Sequence, residues 1–355
     1  MNQFGKNIRI SLFGESHGEF TGITIDGIPE GIHFDTSRFD EILIKRQGDP
    51  DVSTPRRETN EFKIISGYFE NHTTGAPLTI LIKNNNIDSS SYQRGVIRPS
   101  HGDLSYNLKY NHNNDYRGGG TCSGRLTAPL VLLKPICEEI LNKLGYDKVK
   151  VRSIIKKIGN LEQTTSIESL NLNTEINHFI NESYEIKVKD ILQSVKANGA
   201  SLGGTIETAV TGIHQGIGEP FFDSVESIIA HLLFSIPGIK AVEFGEGTNF
   251  SSMLGSQAND ALEYNGDKIV FLTNHAGGIN GGISNGNIIT FRTTFRPTPS
   301  IRKEIPSINT LTKENIIVST NGRHDPCIAL RGLYVVNALT YFAITDLILE
   351  RMKNE

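Results

Sequence analysis

The sequence predicts an α+β fold built from antiparallel sheets, and three observations support this class. Short alternating apolar segments, typical of strands, follow one another directly along the chain, for example at residues 22–26, 61–66 and 76–83. Two longer apolar segments with helical periodicity, at residues 123–144 and 333–351, come after such runs. The 355 residues are 37% hydrophobic and 21% charged, which indicates a globular chain with a sizeable core.

The order of the predicted elements indicates a pseudo-repeat of two related halves within one domain. The first half, about residues 7–150, is predicted to contain strands at 7–13, 22–26, 61–66 and 76–83, a helix that begins at Asp35 or Thr36 and ends at Ile44, and a helix at 123–144. The second half, about residues 187–355, is predicted to contain strands from 204, at 240–244 and at 288–294, a helix at 223–234 capped by Asp223, and a closing helix at 333–351. A polar segment at about 156–182 separates the halves as an insertion, and residues 84–120 form a polar loop long enough to be functional.

Charge and cysteine content exclude several function classes. A formal net charge of −4 excludes a strongly basic protein that binds nucleic acid through its overall charge. Any anion site must therefore be a local cluster of basic residues. We find no secretory leader and no uninterrupted run of about 18 apolar residues, and we predict no membrane partner. Three cysteines without a C-x-x-C pair indicate a reducing, cytoplasmic setting.

Three polar clusters at segment ends predict acid–base chemistry. His17 lies in G-E-S-H-G, His101 lies in R-P-S-H-G-D, and Asp325 lies in R-H-D-P-C just before the last helix. No two of these residues have zinc-ligand spacing, so a metal is not predicted. The first cluster also fits the G-x-S-x-G nucleophile elbow, with Ser16 as the nucleophile. A strand pattern follows it, whereas the elbow requires a helix.

Two glycine-rich segments, at residues 116–127 and 274–286, are typical of loops that approach a phosphate or cofactor closely. The first leads into a predicted helix, whose N-terminal N–H groups attract anions. Arg46, Arg125 and Arg323 suit a substrate with carboxylate and phosphate groups, and the segment from Arg296 to Ser300 suits a phosphate tail.

Taken together, the segments resemble the chorismate synthase family. The chain matches its motifs in order with F-G-E-S-H-G at 13–18, D-G-I-P at 26–29, R-P-S-H-G-D at 98–103 (R-P-G-H-A-D in the family), D-Y-R-G-G-G at 115–120, S-L-G-G at 201–204, G-I-G-E-P at 216–220, E-F-G-E-G at 243–247, N-H-A-G-G at 274–278 and G-R-H-D-P-C at 322–327. The resemblance therefore runs from residue 13 to residue 327, nearly the whole chain.

The resemblance implies a fold, a reaction and partners. Family members sandwich long helices between two antiparallel sheets and are typically homotetramers. They convert 5-enolpyruvylshikimate 3-phosphate to chorismate and phosphate, the last step of the shikimate pathway. This anti 1,4-elimination requires reduced FMN without net redox change. Because no dinucleotide fingerprint follows a strand, we predict that an external flavin reductase supplies the reduced FMN.

The resemblance also implies roles for individual residues. His17 would assist departure of the phosphate, His101 would lie near flavin N1, and Asp325 would lie near flavin N5 and take part in removal of the C6 proton. Substrate contacts are implied for Ser16, Arg46, Ser123, Arg125 and Arg323. Flavin contacts are implied for Thr121, Cys122, Ser123, Pro237, Gly238, Gly281, Arg296, Pro297, Thr298, Pro299, Ser300 and Arg323. A contact with NADP is implied for Lys45.

The chain departs from the family pattern at a few positions. Thr121-Cys122-Ser123 replaces the common Arg-Ser-Ser, Ile44-Lys45-Arg46 replaces three arginines, and Asp51 replaces a later arginine. Three alternatives remain open at this stage: a flavin-dependent oxidoreductase, a serine hydrolase that uses Ser16, and a non-catalytic module that binds flavin or phosphate.

Overall fold

The computed structural model describes residues 2–53, 61–85, 87–175, 178–320 and 324–354. The strands, numbered in chain order, are β1 Gln3–Phe4, β2 Arg9–Gly14, β3 Phe20–Asp26, β4 Phe62–Ser66, β5 Tyr68–Phe69, β6 His72–Thr73, β7 Leu78–Lys83, β8 Lys150–Ile158, β9 Leu161–Glu162, β10 Gly204–Thr211, β11 Ile239–Phe244, β12 Leu262–Asn265, β13 Lys268–Phe271, β14 Ile279–Asn280, β15 Ile283–Ser284, β16 Ile289–Phe295, β17 Ile305–Asn309 and β18 Glu314–Val318. The helices are α1 Ser37–Gln47, α2 Asp103–Lys109, α3 Leu133–Lys143, α4 Glu182–Ala197, α5 Val225–Phe234, α6 Gly255–Ala258 and α7 Ala329–Asn354.

Two five-stranded antiparallel sheets carry the fold. The first has the strand order β1-β2-β3-β7-β4, and the second has the order β11-β16-β10-β8-β9. In β7, Leu78, Ile80 and Ile82 are buried on one face, as period-two alternation requires. The predicted class, mixed α and β with antiparallel sheets, is confirmed.

Helix α7 forms the centre of the hydrophobic core. It packs against α1, α3 and α5 and against β8 and β10, and Tyr341 and Phe342 on it are fully buried. The helix is long and apolar enough to cross a membrane, but 89% of its most apolar 18-residue stretch is buried inside the protein. It is therefore the core helix of this domain. Near its end, Asp346 accepts hydrogen bonds from the backbone N–H groups of residues 6–8 and joins α7 to this segment.

Several predicted helix boundaries differ from the structure by a few residues, and two of them are wrong for a clear physical reason. The helix predicted from residue 123 begins at Leu133, and 3-10 turns at Gly124–Thr127 and Pro129–Leu132 precede it. Pro129 has no N–H to donate and its ring clashes with the preceding turn, so a regular helix cannot continue through it. The helix predicted at 223–234 is capped by Ser224, whose Oγ accepts from the Ser227 N–H, and not by Asp223.

The polar segment at 156–182 begins within β8, and its described residues around Ile167 and Leu172 lie against the second sheet. Ile167 and Leu172 are buried together with Ile154 and Ala209 in a small separate apolar cluster. This segment therefore covers the second sheet with a few apolar side chains spaced too widely to show periodicity. The pseudo-repeat, the halves at 7–150 and 187–355 and the sandwich arrangement stay predictions.

Candidate active site

A cavity of about 740 Å³ lies where the loop at 84–120, the 3-10 turns, the end of β16 and the start of α7 meet. Most of the residues singled out from the sequence line it. They are Ser16, His17, Arg46, His101, Thr121, Cys122, Ser123, Arg125, Pro237, Gly238, Arg296, Thr298, Pro299, Ser300 and Asp325. Segments up to about 300 residues apart in the chain thus meet at one site.

The remaining predicted residues lie elsewhere. Gly281 occupies the turn of the β14–β15 hairpin, outside this cavity, and Pro297 does not line it. Lys45 lines a separate cavity of about 270 Å³ between α1 and α3. Asp51 is exposed. Arg323 lies outside the described residues. These assignments stay predictions.

The run of three glycines at 118–120 makes room for both candidate catalytic histidines. All three have positive φ (61°, 94° and 54°), which a side chain would strain. A Cβ on Gly118 would lie 2.5 Å from the Nε2 of His17, and a Cβ on Gly119 would lie 2.8 Å from the Cε1 of His101. The sequence predicted this run as a cofactor cradle. Its immediate physical role is to let the two imidazole rings approach the same loop.

The long loop orients His17. The Nδ1 of His17 lies 2.8 Å from the Oγ of Ser89, and its ring makes an edge contact with Tyr92 at 5.3 Å between centroids. The Arg98 guanidinium lies 5.2 Å from the centre of the same Tyr92 ring. The segment predicted as a loop at 84–120 contains α2, and its part at 89–98 packs over the histidine.

Arg125 and Arg46 are buried and tie the wall of the cavity together. The Arg125 guanidinium donates to the backbone oxygen of Ser16. The Nη2 of Arg46 donates to the backbone oxygen of Gly124 at 2.8 Å and to the Oγ1 of Thr127 at 2.7 Å. Buried guanidinium groups held in this way carry fixed positive charge into the cavity.

His101 belongs to a buried network with Arg98 and Asp103. The Nδ1 of His101 is 2.7 Å from the Oδ1 of Asp103, which also accepts from the Nη2 of Arg98 at 2.8 Å. Burial opposes ionisation of Asp103, but the hydrogen bonds from Arg98 and His101 outweigh it and hold the pKa of this carboxyl well below its usual range.

Asp325 faces the cavity from the segment before α7. Its Oδ2 accepts from the Nη1 of Arg331 at 2.9 Å, and Arg331 also donates to the backbone oxygen of Arg46 at 3.2 Å. The Oγ1 of Thr298 donates to the backbone oxygen of Asp325 at 3.1 Å. Arg331 therefore connects the carboxylate to α1, and Thr298 connects the backbone of Asp325 to the segment after β16.

Two further side chains in the wall have strongly shifted pKa values. Burial raises the pKa of the Cys122 thiol to about 11, and its Sγ donates to the backbone oxygen of Gly119 at 2.8 Å. Burial, and next the charge of Arg98, lower the pKa of His324 to about 4. Cys122 is thus a neutral thiol at neutral pH, and His324 is a neutral imidazole.

The cavity is strongly cationic. Among its described lining residues, six carry positive charge and two are carboxylates, namely Arg46, Arg98, Arg125, Lys240, Arg296 and Arg331 against Asp88 and Asp325.

Sequence reasoning did not select Tyr92, Lys240, His324 or Arg331 as site residues. It noted Arg98 and Asp103 only as neighbours of His101. For Arg331 no local signal exists, because it lies on an apolar helix.

The geometry does not fit a serine hydrolase. The segment around Ser16 connects β2 to β3 in an antiparallel hairpin, whereas a nucleophile elbow connects a strand to a helix. The Nδ1 of His17 pairs with Ser89, and the backbone N–H of Ser16 donates to Gly120.

Two antiparallel sheets, a buried core helix and a cationic cavity lined by histidines and aspartates define an enzyme for an anionic substrate. A sequence model of the family described as "Chorismate synthase" matches residues 8–349. A chorismate synthase of Campylobacter lari is 38% identical over 98% of this chain and 95% of its own length, and one of Chitinophaga pinensis is 41% identical over 100% and 98%. A crystal structure of chorismate synthase has a similar fold, with a TM-score of 0.72 at 23% identity over 98% of this chain and 93% of that chain. The chain belongs to the chorismate synthase family and is accordingly an enzyme of the lyase class.

Proposed function

We propose that this chain converts 5-enolpyruvylshikimate 3-phosphate to chorismate and phosphate in the 740 Å³ cavity, with reduced FMN bound there. The observation that carries this proposal is the meeting of His17, His101 and Asp325 on one cationic cavity. A substrate with carboxylate and phosphate groups is attracted by fixed guanidinium groups. The volume lies within the roughly 300–1,000 Å³ typical of small-molecule sites.

The described residues fit a flavin mononucleotide. Glycine and proline backbone at 237–238 and the small side chains at 121–123 allow a flat ring system to approach. Arg296 and the hydroxyl groups of Thr298 and Ser300 offer donors to a phosphate tail. Thr121 lacks the cation that the family pattern has at its position, while Lys240 and Arg331 also line the cavity. When bound, reduced FMN would supply electron density to the reacting ring without net redox change.

The chain's own groups manage the proton and the leaving group. The elimination breaks the bond between the substrate ring and its phosphate oxygen and removes a proton from C6, so the site needs an acid beside the phosphate and a base beside C6. His17, held by Ser89, assists departure of the phosphate. Asp325, ion-paired with Arg331, takes part in removal of the C6 proton. His101 takes up and returns a proton beside the flavin. The guanidinium groups of Arg46 and Arg125 provide the positive charge that binds the substrate.

An anaerobic assay tests the reaction. The protein is mixed with 5-enolpyruvylshikimate 3-phosphate and photoreduced FMN, and phosphate and chorismate are followed together. We expect equal release of both products, no release without reduced flavin, and no net oxidation of the flavin. Stoichiometric oxidation of flavin would favour the oxidoreductase alternative, and flavin binding without products would favour a non-catalytic module.

The residue roles need variants with a matched control. His17→Ala and His101→Ala are each expected to lower turnover at least about 10-fold while flavin still binds. His72→Ala removes an exposed imidazole on β6 outside the cavity and is expected to leave turnover unchanged. Full turnover in both cavity variants would remove the histidines from the mechanism.

The source of reduced flavin is a separate proposal. We expect the chain to depend on an external flavin reductase, with no NADPH-dependent reduction of FMN by the protein alone. Robust turnover on NADPH and oxidised FMN without an added reductase would contradict this. In that case, Lys45 and the cavity between α1 and α3 would be examined first by a Lys45→Ala variant.

We also propose the quaternary structure and location implied by the resemblance, a cytoplasmic homotetramer with helices sandwiched between its sheets. Large exposed apolar side chains support association, since Phe221 is 86% exposed, Phe222 is 90% exposed and Tyr264 is 77% exposed. Light scattering coupled to size exclusion tests the tetramer, and a monomer at micromolar concentration would contradict it.

A further inference from the structure

Arg98 and Asp103 form an ion pair that is built into the wall of the cavity. The Nε of Arg98 is 2.7 Å from the Oδ2 of Asp103 and its Nη2 is 2.8 Å from the Oδ1, a two-point contact in which both side chains are 11% exposed. The backbone N–H of Arg98 donates to the same Oδ2 at 3.1 Å. Three hydrogen bonds therefore fix the plane and position of this carboxylate.

The fixed carboxylate determines which nitrogen of His101 carries the proton. An ionised carboxylate only accepts hydrogen bonds, so the Nδ1 of His101, 2.7 Å from Oδ1, must be the N–H nitrogen. The Nη2 of Arg98 lies 3.2 Å from the same Nδ1, but both are donors that share Oδ1 as acceptor. The opposite edge of the ring, with Nε2, is turned toward Gly119 and the cavity.

We propose that Asp103 is a positioning residue, which holds His101 as the Nδ1–H tautomer and presents Nε2 to the cavity, with Arg98 as its anchor. The importance of this for turnover rests on the proposed function, whereas the tautomer is a property of the free protein. Asp103 also stabilises the charged imidazolium when Nε2 takes up a proton. An aspartate behind a reacting histidine acts in this way in other enzymes.

Nitrogen-15 NMR of the protein labelled at histidine tests the tautomer directly. Neutral His101 is expected to show a protonated Nδ1 and an unprotonated Nε2, with its signals assigned by their loss in His101→Gln. In Asp103→Asn the amide can donate to Nδ1, so the Nε2–H tautomer is expected. Turnover is expected to fall by about 100-fold or more, while KM for 5-enolpyruvylshikimate 3-phosphate changes by less than about threefold, because the wrong tautomer impairs the reaction and not substrate binding.

Asp115→Asn is the matched control. Asp115 also pairs with an arginine of the same loop, with its Oδ2 2.8 Å from the Nη2 of Arg117, but it does not contact His101. Its substitution is expected to keep the His101 tautomer and, because Asp115 acts on His17 only through its charge, to lower turnover far less than Asp103→Asn does. An equal loss of turnover in the two variants would overturn the proposal, because a general weakening of the loop would then explain both.

The remaining outcomes are also decisive. A wild-type spectrum with His101 as the Nε2–H tautomer, or wild-type turnover in Asp103→Asn, overturns the proposal. If Asp103→Asn does not fold, Asp103→Glu replaces it and must keep the Nδ1–H tautomer. If the wild-type protein forms no chorismate, the proposed function fails. The NMR spectra of the wild type and of Asp103→Asn then still test whether Asp103 fixes the tautomer of His101.

Discussion

The Sγ of Cys122 occupies the space that a methyl group on Gly102 would need. A Cβ on Gly102 would lie 2.8 Å from this sulfur, which the hydrogen bond to the backbone oxygen of Gly119 holds in place. In the family pattern these two positions are alanine and serine. The two departures therefore compensate for each other, since the larger sulfur is accommodated by the missing methyl group.

This relationship predicts that substitutions at the two positions are coupled. Gly102 has a φ of −66°, where alanine ordinarily stabilises a protein slightly. Here Gly102→Ala is expected to lower the free energy of unfolding by about 1–2 kcal/mol, because the sulfur must move. In the Cys122→Ser background, most of this loss should disappear. Urea unfolding of the four proteins measures the coupling, and additive effects would show that the two side chains do not compete for space.

Gly118→Ala is expected to disable the site without unfolding the protein. The new Cβ would lie 2.5 Å from the Nε2 of His17 and 2.7 Å from the Oγ of Ser16, so both must move. Displacement of a reacting group by about 1 Å can lower turnover roughly 100-fold. Gly145→Ala is the control, because Gly145 has a φ of +80° but nothing within 4 Å of its Cβ.

Both of these alanines introduce similar left-handed strain, about 1–2 kcal/mol each. Thermal unfolding should therefore show destabilisation in both variants, and it should be larger in Gly118→Ala because His17 and Ser16 must also move. Turnover should fall only in Gly118→Ala. Equal turnover in both would mean that the glycine run serves the backbone alone.

His324 is expected to make the protein less stable in mild acid. Burial, with the charge of Arg98 second, lowers its pKa in the folded state to about 4, whereas an unfolded histidine titrates near about 6.5. Between these values the unfolded chain binds a proton that the folded chain does not. The free energy of unfolding therefore falls as the pH is lowered from about 6.5 toward 4, by at most about 3 kcal/mol for this residue.

Urea unfolding at pH 7 and pH 4.5 measures this effect. The loss of stability between the two pH values should be smaller by about 2 kcal/mol in His324→Gln than in the wild type. Some loss should remain, because burial also lowers the pKa of His178. The same loss in both proteins would assign the acid sensitivity to other groups.

Asp346→Ala is expected to detach the N-terminal segment from α7. The Oδ1 of Asp346 accepts from the backbone N–H groups of Asn7 at 2.7 Å and Ile8 at 2.9 Å. Its Oδ2 accepts from the backbone N–H group of Lys6 at 2.9 Å. Alanine would leave these donors without their acceptor, and the free energy of unfolding should fall by about 3 kcal/mol or more. Glu350→Gln, which alters an ion pair with the partly exposed Lys6, should change it by less than about 1 kcal/mol. Similar effects of the two substitutions on chemical denaturation would contradict this distinction.

Much of the secondary structure and most of the candidate site could be predicted from the sequence. The strands at 9–14, 20–26, 62–66 and 78–83 were located within two residues, because each carries its own alternation. The start of α3 was misplaced because apolar side chains continue through the 3-10 turns around Pro129, where their spacing still resembles a helix. The motifs around His17, His101 and Asp325 were evident because each lies in a short polar run between apolar segments.

The sequence by itself determined the fold class, the family resemblance and which short segments carry chemistry, since all of these depend on the order of residues along the chain. Only the tertiary structure decided that Gly118 and Gly119 fit against His17 and His101, that Ser89 holds His17 and that Arg331 pairs with Asp325. The first three contacts join segments that the strands and turns bring together from far apart in the chain. The contact between Arg331 and Asp325 depends on which face of a buried helix is turned to the cavity. Neither kind of contact leaves a local pattern in the sequence.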